Sequence, residues 1–233
     1  MRTLKILGFL LTYPEEAHQN ILEEAGLLLR QEKILSDKSI DVLEKMMKIF
    51  QKEDLIDLQD EYVSLFDRTP SLSLHLFEHI HGDSRERGQA LVDLSNVYAK
   101  GGLFISVEET PDYLPLFLEY VSTLPLSEVN ENLSSIVNIT VAIGERLKNR
   151  ESSYAYVFEA ISEIAASKAS PKAIEEALSQ ATGEAYDFDQ LDKEWEEQFA
   201  FDNSLPLNGQ TDGCPRAEEM LARMKITPEE ERS

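Results

Sequence analysis

Histidines and acids crowd one short stretch of the sequence. The pentapeptide "HLFEH" at residues 75–79 spells H-x-x-E-H, an order in which two histidines of some zinc hydrolases hold the metal and the glutamate activates its water. On a helix, His75 and His79 share one face and can bind one ion. A catalytic zinc also needs a third protein ligand, which the pattern does not supply. A zinc hydrolase built on His75, Glu78 and His79 is one hypothesis for this stretch.

A helical wheel favours a structural role for the same residues. If residues 71–81 form one helix, an apolar stripe runs along it, made by Leu72, Leu76 and Ile80. His75 and His79 flank this stripe, whereas His81 points to the opposite side. His79 and His81 therefore cannot chelate one ion on a regular helix, and we predict no metal site.

The residues that follow predict the end of one helix and the start of another. Gly82 suits a helix C-terminus, and Asp83 with Glu86 matches the capping box that opens a helix. Arg85 and Arg87 gain nothing from the dipole at a helix start. They either pair with local acids or bind a carboxylate or phosphate of a ligand.

Composition limits the classes of partner and cofactor. The 233 residues include 44 acidic and 22 basic ones, for a net charge of −22. Such a surface repels nucleic acids and attracts basic partners. The single cysteine, Cys214, can form neither an internal disulfide nor a multi-cysteine metal site. The sequence contains no glycine-rich nucleotide loop and no nucleophile elbow, so other candidate chemistry is absent and we predict no cofactor.

The elements that must position these residues are predicted to be helices throughout. Apolar residues recur at steps of three and four in "DLIDLQDEYVSLFD" (54–67) and "SEVNENLSSIVNITVAIGERL" (127–147). The strand-like alternation at 71–76 has no partner of similar pattern and is assigned to a helix or an extended loop. We predict an all-α fold: a single helical-bundle domain of about eight or nine helices at 1–200, then a flexible polar tail at 201–233.

Residue types also predict several helix ends and the role of the N-terminus. Ser36 is expected to cap the helix that follows it, and Thr110 to cap a helix whose first residue is Pro111. Gly101-Gly102 should stop the preceding helix. The apolar run at 4–11 is short and lacks a small-residue cleavage site. It is therefore predicted to be a core helix of a soluble, cytoplasmic protein rather than a signal peptide or a membrane span.

Three longer blocks of sequence resemble one family. They are "YVSLFDRT" at 62–69, "LFEHIHGDSRERGQALVDL" at 76–94 and "PDYLPLFLEYVSTLP" at 111–125. Together they resemble the NarJ-type assembly chaperones of respiratory nitrate reductase, part of the wider group of redox-enzyme maturation proteins. The shared block begins at Leu76 and leaves out His75, which the zinc hypothesis requires. The resemblance implies an all-helical cytoplasmic domain without catalytic activity.

The resemblance also implies a partner. The family is similar in binding the apo catalytic subunit of nitrate reductase, including its N-terminal segment, which resembles a remnant twin-arginine signal. The subunit is held while molybdenum cofactor and iron–sulfur clusters are inserted, before it docks at the membrane, and molybdenum cofactor delivery proteins are possible further partners. The residues expected to bind the partner peptide are Phe77, Glu78, His79, His81, Arg85, Arg87, Asp112, Tyr113, Pro115, Glu119 and Tyr120.

Other roles stay open for several of these residues. Asp112, in the first turn of a helix, would stabilise that helix by itself. Tyr113 and Tyr120 stand seven apart on one helical face, which suits core packing. A scaffold that binds molybdenum cofactor directly, with Arg85 and Arg87 holding its phosphates, is a third hypothesis beside the chaperone and the zinc hydrolase.

Overall fold

The computed structural model describes residues 1–81, 85–106, 109–165, 169–172 and 174, excluding the side chains of residues 81, 85 and 86. Nine α-helices lie within these ranges: α1 (Arg2–Phe9), α2 (Glu16–Glu32), α3 (Asp37–Phe50), α4 (Leu55–Tyr62), α5 (Glu78–His81), α6 (Arg85–Lys100), α7 (Leu114–Ser122), α8 (Leu126–Asn149) and α9 (Ala155–Ile164). A π-helical turn at Val63–Asp67 and a 3₁₀ turn at Pro70–Leu72 complete the elements. The all-α prediction is confirmed, whereas the predicted tail lies outside the described residues.

The α1 helix is buried in the core, as its apolar sequence predicts. Leu4 and Leu7 are completely buried. The Glu32 carboxylate at the end of α2 accepts hydrogen bonds from the backbone N–H groups of Arg2 at 2.7 Å and Thr3 at 2.6 Å. The first N–H groups of a helix have no partner within it, and a carboxylate there also faces the positive end of the helix dipole. The end of α2 therefore stabilises the start of α1.

The N-terminus of α3 combines a local cap with a distant one. The Ser36 hydroxyl accepts from the Ser39 N–H at 3.3 Å, which confirms the predicted cap. The Ser36 N–H itself donates to Oε1 of Glu163, on α9, at 2.6 Å. The local part was visible in the sequence, whereas the contact with α9 comes from the packing of the bundle.

Three helix pairs account for most of the packing between described elements: α1 with α7, α2 with α3, and α8 with α9. In the first pair Gly8 allows a close approach, because a Cβ atom there would lie 3.0 Å from the Pro115 carbonyl oxygen. Among the described residues, no helix is both long enough and apolar enough to cross a membrane.

Residues 71–81 do not form one helix, so the helical wheel drawn for them is wrong. After the 3₁₀ turn the chain forms a single bridge at His75 and a turn at 76–77, and α5 begins only at Glu78. The Leu76 N–H donates to the Asp112 carbonyl at 2.9 Å, and the Leu114 N–H donates to the Leu74 carbonyl at 2.8 Å. Ile80, expected on the buried stripe, is 54% exposed. We call residues 73–77 together with residues 110–114 the crossing.

The alternation in the sequence does not mark one face of a strand. Leu72, Leu74 and Leu76 are all buried, but Ser71 and Ser73 are buried as well, and Leu72 belongs to the 3₁₀ turn. Within the crossing the pairing is a single antiparallel bridge between His75 and Tyr113. A single bridge does not require a partner segment with alternating apolar residues, so the sequence contains no such segment to match residues 71–76.

The crossing also shifts the start of α7. This helix begins at Leu114 rather than at Pro111, and the proline in its first turn is Pro115. Thr110 therefore does not cap α7, and Asp112 precedes the helix instead of lying in its first turn. The predicted stop at Gly101-Gly102 is confirmed, because α6 ends at Lys100 and Gly102 has a φ of +84°, which glycine tolerates best.

Candidate functional site

A buried carboxylate occupies the centre of the crossing. Asp112 is completely buried. Its Oδ2 accepts from the Phe77 N–H at 3.2 Å, and its Oδ1 lies 3.4 Å from His75 Nδ1. Burial alone would raise the pKa of Asp112, but hydrogen bonds from His75, Thr110 and the Phe77 N–H together hold that pKa below its ordinary value. The carboxylate is therefore kept ionised inside the protein by a complete set of donors.

The two histidines of the H-x-x-E-H pattern face different partners. The hydrogen bond to Asp112 raises the pKa of His75, and His75 Nδ1 also lies 2.9 Å from Thr110 Oγ1. His79 donates through Nε2 to the Ser73 carbonyl at 2.8 Å, and burial lowers the pKa of His79. Within the described ranges, no group of three or more histidine, cysteine or acidic side chains could hold a metal ion. The geometry gives the zinc hypothesis no support.

Arg87 already has a local acidic partner. Its Nη2 lies 3.1 Å from Oε1 of Glu78, and this ion pair joins α6 to α5. Of the two roles considered for Arg87, the structure shows the pairing with a nearby acid. That pairing leaves the guanidinium less available for a cofactor phosphate. The side chains of His81 and Arg85 lie outside the described residues, so their predicted contacts have no structural account.

Tyr120 lies in the core. Its ring is 4.6 Å from the ring of Tyr98, whose hydroxyl donates to the Pro111 carbonyl at 2.8 Å. Gly101 covers the other side, because a Cβ atom there would lie only 2.6 Å from Tyr120 Cε2. A partner could reach Tyr120 only after these groups had moved.

Three predicted residues line a groove between α1 and α7. Tyr113, Pro115 and Glu119 form part of its wall. The groove has a volume of about 290 Å³, and its other lining residues are Lys5, Gly8, Phe9, Thr12, Glu109 and Leu116. Its lining combines aromatic and aliphatic side chains with three exposed charged ones, the two acids Glu109 and Glu119 and the base Lys5.

Tyr113 connects this groove to the crossing. Its ring centroid lies 5.5 Å from that of His75. Its hydroxyl lies 3.1 Å from the hydroxyl of Tyr62, which donates to the Leu11 carbonyl at 3.0 Å. Tyr113 is therefore held from both sides, so the wall that it gives the groove is pre-organised.

Sequence reasoning missed two thirds of the groove's lining. The residues it did not single out are Lys5, Gly8, Phe9, Thr12, Glu109 and Leu116. A signal was present, because Lys5 and Phe9 stand four apart and share a face of α1. Their place in a groove depends on the packing of α1 against α7, a helix that begins about a hundred residues later in the chain.

Comparisons with known proteins match this chain to one family over most of its length. The model of the nitrate reductase delta subunit family matches residues 31–160. The probable nitrate reductase molybdenum cofactor assembly chaperone NarW of Escherichia coli K12 is 38% identical over 218 residues, covering 89% of this chain and 90% of that protein. The assembly chaperone NarJ of the same strain is 39% identical over 202 residues, covering 85% and 84%.

A more distant relative carries a similar description, and a solved structure has a similar fold. NarJ of Bacillus subtilis, also described as a probable molybdenum cofactor assembly chaperone, is 27% identical over 156 residues, covering 66% of this chain and 82% of that protein. A crystal structure from Archaeoglobus fulgidus, assigned to the redox enzyme maturation proteins, has a TM-score of 0.50 at 22% identity. It covers 70% of this chain and 92% of that one, and it supports the fold alone.

These matches confirm both the resemblance and the prediction that the protein is not an enzyme. The zinc hydrolase hypothesis was therefore wrong. By its family model and its relatives, the chain belongs to the nitrate reductase delta subunit family, a family of assembly chaperones.

Proposed function

We propose that this protein is a dedicated cytoplasmic chaperone for the assembly of respiratory nitrate reductase. It binds the apo catalytic subunit and holds it while molybdenum cofactor and iron–sulfur clusters are inserted, before the subunit docks at the membrane. The observation that carries this proposal is the 38–39% identity to two molybdenum cofactor assembly chaperones over most of the chain.

The groove between α1 and α7 is the proposed site for the N-terminal segment of that subunit. A segment that resembles a twin-arginine signal combines basic and apolar side chains. Phe9 and Leu116 offer apolar contacts, while Glu109 and Glu119 stand at the rim for the basic ones. An amphipathic helix that places its apolar face in such a groove is a common mode of peptide recognition.

Charge and size both suit a chaperone that must release its client. The net charge of −22 attracts a basic segment from a distance and speeds its encounter more than it strengthens the final complex. A groove of about 290 Å³ can hold only a few side chains, so the affinity rests on a small number of anchors. The resulting moderate affinity allows dissociation once the subunit has matured.

Molybdenum cofactor is proposed to reach the complex through delivery proteins rather than through a site on this chain. Arg87, one of the two arginines considered for its phosphates, is already paired with Glu78. A phosphate bound there would have to displace Glu78 from Arg87. The chaperone hypothesis requires no such change.

Calorimetry with a synthetic peptide tests the peptide site. The probe is the N-terminal segment of a nitrate reductase catalytic subunit, with a scrambled peptide as control. We expect binding that weakens as salt is added, and an affinity reduced about two- to threefold by Glu109→Gln. The matched control is Glu159→Gln, which removes an exposed acid of α9 that does not line the groove. Absence of binding at low salt, at every pH from about 5 to 8, would refute the peptide site.

Co-purification tests the holding role independently. The tagged chaperone is isolated from cells that express the catalytic subunit, with and without molybdenum cofactor synthesis. A client waiting for its cofactor should accumulate on the chaperone when the cofactor cannot be made. Equal recovery of the catalytic subunit from both strains would contradict that role, even if the peptide binds.

A further inference from the structure

An ion pair already spans the groove that the partner segment is proposed to enter. Lys5 on α1 places its Nζ 3.5 Å from Oε1 of Glu119 on α7, and the two side chains are 53% and 51% exposed. Both residues line the groove. An exposed pair with one long contact is weak, because water and salt compete with it.

Another surface cation in the molecule is held much more firmly. Arg30 donates from Nε to Oε1 of Glu44 at 2.5 Å and from Nη2 to Oδ1 of Asp41 at 2.7 Å, so two carboxylates enclose one guanidinium. Lys5 contacts the carboxylate of Glu119 at the longer distance of 3.5 Å. Of these two interactions, the Lys5–Glu119 pair is therefore the one in which an incoming cation more easily replaces the basic residue.

We propose that Lys5 is an intramolecular competitor that occupies Glu119 until an arginine of the partner segment displaces it. The proposal rests on the proposed function, because it assumes that a peptide enters this groove. Arginine is the suitable competitor, since its planar guanidinium can bond both oxygens of a carboxylate, whereas the lysine ammonium acts as a point charge.

This arrangement would moderate the affinity for basic segments, because such a segment must displace Lys5 before it can bind Glu119. A segment without a cation has nothing to replace Lys5, so Glu119 keeps its intramolecular partner and the lysine side chain remains across the groove. A segment with an arginine exchanges the weak pair for a stronger one. Lys5 thus lowers the affinity for segments that carry a guanidinium without affecting uncharged ones, and it can bind Glu119 again when the segment leaves.

The competing explanation is a structural one, in which the pair simply holds α1 against α7. The two explanations predict opposite effects of removing the lysine charge. If Lys5 competes with the ligand, Lys5→Met should tighten peptide binding. If the pair organises the groove, the same substitution should weaken binding or leave it unchanged.

The experiment uses calorimetry on the full chain with two synthetic peptides. One is the N-terminal segment of a nitrate reductase catalytic subunit, and the other has its arginines and lysines replaced by glutamine. We expect Lys5→Met to bind the first peptide about two- to fivefold more tightly at low salt. The glutamine peptide should show no such gain. The gain should also disappear when Lys5→Met is made in a Glu119→Gln background, because the two residues act as a pair.

A matched control separates a local effect from a change in net charge. Lys148→Met also removes one exposed lysine, 3.9 Å from Glu145 and Glu159 and outside the groove lining. This variant should bind like the unmodified protein. An equal gain in Lys148→Met, or no gain in Lys5→Met, would overturn the assignment of Lys5 while leaving the proposed function intact. Absence of binding by the unmodified protein would instead refute the peptide site itself, and the role of Lys5 with it.

Discussion

The crossing and the α1/α7 groove both contain acidic residues, but they use them differently. At the crossing, Asp112 is completely buried and is hydrogen-bonded by His75, Thr110 and the Phe77 N–H. In the groove, Glu119 is half exposed and makes one long contact with a lysine. The carboxylate at the crossing is buried and already hydrogen-bonded within the protein, whereas the carboxylate in the groove can still bind a partner.

The difference follows from solvation. A carboxylate removed from water must replace its hydration with protein donors, or the fold loses several kcal/mol. A carboxylate at the surface keeps its water and can exchange it for a ligand at little cost. A sequence stretch rich in histidine and acid therefore does not by itself indicate a binding site, because such groups can be buried and hydrogen-bonded as Asp112 is.

The largest expected effect is loss of stability when the buried acid is removed. Asp112→Ala leaves the Phe77 N–H without its acceptor and His75 without its carboxylate. The free energy of unfolding should fall by about 2–4 kcal/mol, measured by urea denaturation. Glu109→Ala, at the groove, should change it by less than about 0.5 kcal/mol. Similar losses in both variants would remove the distinction between the two regions.

The second effect concerns affinity at the groove. Phe9→Ala removes a half-buried aromatic side chain from the groove wall, and it should weaken binding of the N-terminal peptide about tenfold. Phe104→Ala is the matched control, because Phe104 is 83% exposed and does not line the groove. Circular dichroism should show that both variants are folded. Unchanged affinity in Phe9→Ala would place the peptide elsewhere.

A smaller effect separates stability from binding. Tyr98→Phe removes only the hydroxyl that donates to the Pro111 carbonyl behind the crossing. The free energy of unfolding should fall by about 1 kcal/mol, while peptide affinity stays the same. Tyr156→Phe, which alters a partly exposed tyrosine of α9, serves as the control for the hydroxyl. A loss of peptide affinity in Tyr98→Phe would show that the crossing and the groove are coupled.

The smallest effect is the dependence of stability on pH. The pKa of His75 is raised, so its stabilising contribution is complete below about pH 6.5 and is lost as pH rises through the raised value. The pKa of His79 is lowered, so its contribution is present above about pH 6.5 and is lost as pH falls through the lowered value.

Two substitutions test these opposite signs. In urea denaturation across this range, His75→Gln should reduce the loss of stability on the alkaline side, and His79→Gln should reduce it on the acid side. If either variant retained the unmodified profile, its hydrogen bond at the crossing would contribute nothing to that dependence.

Local signals in the sequence predicted much of the fold. Ser36 caps α3 as expected, and the period-3.6 pattern at 127–147 lies within α8. Gly101-Gly102 ends α6, and the apolar N-terminus is a core helix. Each of these features depends on residues a few positions apart, so its physical cause is present in a short window of sequence.

The errors fell where a distant segment changes a local preference. Thr110-Pro111 has the residue types of a helix start, but this part of the chain bonds to residues 74–77 instead, and α7 starts at Leu114. Tyr120 stays a predicted peptide contact, although Tyr98 and Gly101 pack against it, as the core-packing alternative expects. The start of α7 at Leu114 has no signal within the surrounding residues.

The sequence by itself determined the helical class, the acidic charge and the family, because these rest on periodicity, composition and ordered blocks of residues. Only the tertiary structure decided which carboxylates are buried and which remain available. Lys5 and Glu119 are 114 positions apart and meet only because α1 packs against α7. Such a meeting is a property of the packed core as a whole, and no short window of sequence contains its cause.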